Sequence, residues 1–107
     1  MKVAINTPGQ HDRHESEVRF VASVDGKPLS VTITDYALFI VGEALGLPPS
    51  EPLVIYAAGG SLLKCVVAEA LKSRLELQAT LLITDSDVLK VTGAEIGLPN
   101  VPKRWKL

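Results

Sequence analysis

The chain of 107 residues holds few clusters that could do chemistry. The densest polar run is His11-Asp12-Arg13-His14-Glu15. Imidazole and carboxylate are ligands for zinc and similar metals. Neither histidine has an i, i+4 partner and no second ligand cluster accompanies them, so a solvated loop is the plainer reading of His11 and His14. Cys65 is the only cysteine. A nucleophilic thiol needs a base and a site that stabilises thiolate. The histidines stand far away in the early loop, which predicts a buried structural thiol instead. Asp85 and Asp87 follow an apolar run, where turn and capping duty explains them as well as catalysis does. Glu51, Glu69 and Glu76 complete no acid–base pair with them. Gly59-Gly60-Ser61 could seat a phosphate at a helix start, but the spacing fits neither a P-loop nor a dinucleotide fingerprint. Close backbone packing is the better expectation there. Lys103-Arg104-Trp105-Lys106 is a basic patch with one aromatic ring. It could touch phosphates and stack a base. The favoured reading is Trp105 docking on the body of the protein or on a second copy.

Composition narrows the class. Eleven basic residues face twelve acidic ones, for a net charge of −1. That leaves no domain-wide electrostatic footprint for nucleic acid or an anionic membrane. Low net charge also gives little colloidal repulsion, which favours self-association. Hydrophobic residues are 47% and aromatics 5%, so aliphatic side chains must fill the core. One cysteine makes no internal disulfide. The longest apolar run, Leu53 to Ala58, is far short of a membrane span. The opening residues show no signal-peptide pattern, so a cytoplasmic setting is expected.

The elements that must position these groups follow from periodicity. Residues 6–17 read as a surface loop, and no strand is expected there. Val18, Phe20, Ala22 and Val24 then alternate with Arg19, Val21 and Ser23, and Leu29, Val31 and Ile33 alternate with Ser30, Thr32 and Thr34. Asp25-Gly26 lies between, which predicts a β-hairpin. A two-residue turn sets Ala22 opposite Leu29, Phe20 opposite Val31 and Val18 opposite Ile33. It also sets Pro28 opposite Ser23 in a non-hydrogen-bonded pair, where its missing N–H costs nothing. A four-residue turn would bury the same face. Thr34 or Asp35 caps a short helix carrying Leu38, Val41 and Leu45, stopped by Gly46 and Pro48-Pro49. From Ser50-Glu51-Pro52 onward the pattern is helical through most of the segment to Arg74, with Leu53, Ala57, Gly60, Leu63, Val67 and Leu71 as one continuous stripe. The alternative makes Leu53 to Ala57 a strand and Gly59-Gly60 a turn. Ala79 to Thr84 reads as a third strand, buried on both faces at Leu81-Leu82-Ile83. Residues 94–107 form an extended or docked tail to a single domain over 1–107.

The string Glu17-Val18-Arg19-Phe20-Val21-Ala22-Ser23-Val24-Asp25-Gly26, followed by Ile33-Thr34-Asp35-Tyr36-Ala37-Leu38, resembles a family of short bacterial proteins catalogued as domain of unknown function 1488. The outline is similar over residues 3–88, with matching motifs in 17–38. The Gly59-Gly60 helix and the basic tail depart from it. The resemblance implies an α+β fold and carries no activity or site residues.

The expectation is an α+β domain: an N-terminal antiparallel hairpin plus a third strand, packed against two helices. The function expected is a non-enzymatic interaction module with a protein partner, self-associating as a homodimer and needing no cofactor. The alternative is a nucleic-acid-binding accessory protein using the hairpin edge and Lys103, Arg104, Trp105 and Lys106. A metal protein or small hydrolase built on His11 and His14 is the weakest reading.

Overall fold

A computed structural model of the chain describes residues 2–73 and 80–92. Its elements run in the order β1 (Val3–Ile5), β2 (Gln10–Asp12), β3 (Glu17–Val24), β4 (Lys27–Thr34), α1 (Asp35–Leu45), α2 (Pro52–Ala58), α3 (Gly60–Ser73), β5 (Thr80–Ile83) and α4 (Asp85–Thr92). The α+β class and the hairpin are as the sequence predicts. The described fold has five strands and four helices, rather than the three and two that alternation alone reveals.

The hairpin forms by the two-residue turn. Asp25 and Gly26 both take positive φ, 51° and 84°. That is the mirror-type turn whose twist matches the flanking strands. Its register pairs Ala22 with Leu29, Phe20 with Val31 and Val18 with Ile33. All six are buried. Pro28 lies opposite Ser23, and β5 begins its pairing only at Ser30, so no strand asks Pro28 for a donor.

The expected loop over residues 6–17 is in part a strand. β1 and β2 both pair with the free edge of β3. Ile5 faces Ala22 and Gln10 faces Arg19, so residues 6–9 bulge opposite only Phe20 and Val21. Three-residue strands carry too little alternation to stand out in sequence. The bulge replaces its lost ladder bonds with a side chain. The Thr7 hydroxyl accepts from the Val21 N–H at 3.1 Å and donates to the Val21 carbonyl oxygen at 3.0 Å. From below, the Tyr56 hydroxyl donates to the Thr7 carbonyl oxygen at 2.6 Å. Gly9 is needed here, because a Cβ would meet Val18 at 2.8 Å and the Tyr56 ring at 3.1 Å.

Thr34 caps α1 by accepting from the Ala37 N–H, and Gly46 closes it in the left-handed conformation at φ 71°. The segment after Pro52 is helical, but not as one rod: α2 and α3 meet at 88° across Gly59. This corrects the continuous stripe. Leu63 and Val67 enter the core, whereas Leu53 and Ala57 are exposed. Glycine is needed at the bend, since a Cβ on Gly59 would meet the Val41 side chain at 2.9 Å and the Ile55 carbonyl oxygen at 3.0 Å. β5 runs parallel to β4 and is reached through α1–α3. It alternates, with Leu81 and Ile83 buried and Leu82 51% exposed, so the expectation of burial on both faces is corrected. The reason is that the core lies on one side of the sheet only. At the start of α4, Asp87 accepts from the Thr84 N–H at 3.0 Å, one half of a capping box. Among the described residues, no single helix is long and apolar enough to cross a membrane.

Two predictions follow from these close approaches. Gly59→Ala should lower unfolding free energy by about 1–3 kcal/mol through overpacking, while Gly60→Ala, where a Cβ meets open space, should raise it by about 0.4–1 kcal/mol. Urea denaturation checks both signs, and equal effects would contradict the packing at Gly59. Burial pushes the Tyr56 hydroxyl above its usual value of 10.0. The fold therefore favours neutral Tyr56, and that contribution is present below pH 10 and lost as pH rises through the raised value. Thermal unfolding of Tyr56→Phe should start from a lower midpoint at neutral pH and decline less on entering that range. An identical alkaline slope would contradict the assignment.

Candidate interaction surface

The bulge delivers His11 to the position opposite Val18, on the helix-covered side of the sheet. There His11 Nε2 lies 2.9 Å from Asp35 Oδ2, at the first residue of α1. The other Asp35 oxygen, Oδ1, is buried without a hydrogen bond among the described residues. No described side chain bonds the other imidazole nitrogen, so the pair ties β2 to α1 and orients no nucleophile. His14 stays on the exposed turn, where its backbone N–H bonds Asp12 Oδ1. The neighbouring N–H of Glu15 bonds the same oxygen and, with Arg19, holds the Asp12 carboxyl below its ordinary range. Arg19 is taken up by Glu17 at 2.6 Å and Asp12 at 3.1 Å. Among the described residues no group of three or more His, Cys, Asp or Glu is arranged to hold a metal.

Cys65 is exposed, which corrects the expectation of a buried thiol. The buried residues of α3 are Leu63, Val66, Val67 and Ala70, and Cys65 falls to one side of them. It borders an open depression with Lys72 of α3 and Lys90 of α4. Asp87 is committed to capping α4, and Gly59 to the contact with Val41. Lys103, Arg104, Trp105 and Lys106 lie outside the described residues.

The feature that sequence reasoning passed over is on α1. The sheet, α2 and α4 take its buried side, Leu38, Ile40, Val41 and Ala44. Tyr36, Phe39 and Glu43 share what remains, at i, i+3 and i+7. Tyr36 is 62% exposed and Phe39 50%, and their rings stack at 6.3 Å with planes 9° apart. A groove opens beside Phe39, lined by Gly42, Glu43, Leu47, Pro48 and Ile55. Leu53 and Val54 of α2 are exposed as well. A signal was available: α1 has apolar residues around most of its circumference, more than one buried stripe can use.

The charge of this region is one-sided. Residues 28–63 contain Asp35, Glu43 and Glu51 and no Lys, Arg or His. Glu51 makes no side-chain cap bond to α2, and neither Glu43 nor Glu51 joins an ion pair among the described residues. The uncovered sheet face is different in kind. It presents Arg19, Val21, Ser30 and Thr32 around a shallow depression, and its one guanidinium is already paired.

No family model matches the chain, and no curated protein or solved structure matches it either. The position of Cys65 gives a direct check. The folded protein should react with a disulfide reagent at one thiol per chain without denaturant, and a thiol that reacts only on unfolding would contradict its placement.

Proposed function

We propose that this protein is a non-enzymatic interaction module that self-associates, with the α1–α2 face as its contact surface. One observation carries the reading: Tyr36 and Phe39 stack in the open beside an apolar groove. The chain has only five aromatic residues, and two of them stand there. Full burial of such a side chain is worth about 1.5–3 kcal/mol, and with Tyr36 and Phe39 about half exposed a partner would recover roughly half of it. Single exposed apolar residues need no explanation, but a stacked pair bordering a groove supports reading this face as a contact surface. Near-zero net charge supports association of like copies. A cytoplasmic setting belongs to the same reading, because a reducing compartment keeps an exposed lone thiol free. The likeness of residues 17–38 to domain of unknown function 1488 is kept with it and assigns no activity. Nucleic-acid binding through the hairpin edge draws no support from the described surface, since Asp12 and Glu17 neutralise Arg19.

Sedimentation velocity tests the reading from low micromolar to near-millimolar protein. The average mass should rise with concentration. Tyr36→Ser combined with Phe39→Ser should weaken association by roughly tenfold or more, about 1.4 kcal/mol per decade. Val21→Ser on the opposite sheet face should leave it unchanged. A single-chain mass throughout, or equal loss in the Val21 variant, would overturn the proposal.

A further inference from the structure

We infer that the α1–α2 face receives the basic segment Lys103-Arg104-Trp105-Lys106 of a second copy of this chain. The inference rests on the reading of that face as a contact surface and names its occupant. Charge complementarity carries it. The segment from 28 to 63 has three acids and no base, and 103–106 has three bases and no acid. Glu43 and Glu51 are exposed carboxylates without an ion pair among the described residues, so meeting a cation breaks no existing bridge.

The rings supply the second half of the chemistry. The faces of Tyr36 and Phe39 attract ammonium and guanidinium groups, and they stack with an indole. The groove beside Phe39 offers apolar walls from Leu47, Pro48 and Ile55, with the Glu43 carboxylate at its rim. A segment alternating cations with one Trp satisfies both. Tyr36 and Phe39 are more than half and about half exposed, so an occupant has ring surface to cover. Two copies that exchange tails close a two-fold dimer in which both faces and both tails are satisfied. The arrangement needs no net charge on the chain, since the attraction comes from segregating the signs within the sequence.

At the N-terminal end of α1 the Asp35 carboxylate is already met by His11, 2.9 Å away. The acid excess is therefore concentrated toward Glu43 and Glu51, and those residues are the ones to reverse. The probe is a fluorescent peptide of residues 99–107, followed by anisotropy. The receiver is the full-length protein whose Lys103, Arg104, Trp105 and Lys106 are all changed to Ser, so that its own tails do not compete.

The peptide should bind this receiver, bind more weakly as salt shortens the screening length, and lose roughly tenfold or more on Glu43→Lys with Glu51→Lys. A peptide carrying Lys103→Glu and Arg104→Glu should fail to bind, and that arm needs no refolded variant. The wild-type chain should sediment as a dimer at concentrations where the tail variant is a monomer. If the tail variant dimerises as well as wild type, the occupant is wrong while the contact face stands. If wild type is monomeric and only the tail variant accepts peptide, the chain's own tail fills the seat and the two-copy proposal fails. Absent peptide binding, or binding indifferent to the charge reversals, overturns it outright.

Discussion

The register of the β3–β4 hairpin is the constraint on which the rest of this structure depends. Asp25 and Gly26 take positive φ, and that turn geometry sets every pair from Val24–Lys27 to Glu17–Thr34. Because side chains alternate with period two, one register places Val18, Phe20, Ala22, Leu29, Val31 and Ile33 together under the helices. A slip of one residue would turn one strand's three to water. β5 extends the same face by pairing Val31 with Leu81 and Ile33 with Ile83. The bulged edge at residues 6–9 is then clamped onto β3 by Thr7 and Tyr56.

A sheet covered on one side has consequences for the helices. α1 leaves Thr34 at the end of the hairpin and lies beside the sheet, α2 and α4. Its buried residues leave Tyr36, Phe39 and Glu43 on the far side. α2 packs against the C-terminal half of α1, with Ile55 beside Gly42 and Gly59 beside Val41, and the loop at Leu47–Ser50 completes a groove between them. The proposed contact face is thus a product of the fold rather than of a local motif. It consists of what α1 and α2 have left after the core is filled.

Much of this is legible in the residues themselves. Strict alternation specified the hairpin face, and Thr34 with Gly46 bounded α1. Other features depend on tertiary facts that periodicity does not carry. Val3–Ile5 and Gln10–Asp12 are too short to show a period and are strands only because β3 has an open edge. The run Leu81-Leu82-Ile83 looks buried throughout, yet Leu82 faces out because nothing described covers that side. Cys65 reads as apolar filling and is exposed because Leu63, Val66 and Val67 already occupy the buried side of α3. The candidate surface was the least legible part. Tyr36 and Phe39 are indistinguishable from core residues until the number of layers against α1 is known.

The account's central claim is that the open rings of α1 are covered when chains associate. Hydroxyl-radical footprinting reads side-chain exposure at single residues, and it can be run on dilute and concentrated protein. Tyr36 and Phe39 should lose oxidation as concentration rises, with Leu53 and Val54 following, while Val21 on the opposite sheet face stays reactive. Unchanged oxidation of Tyr36 and Phe39, or protection of Val21 in their place, would contradict the account.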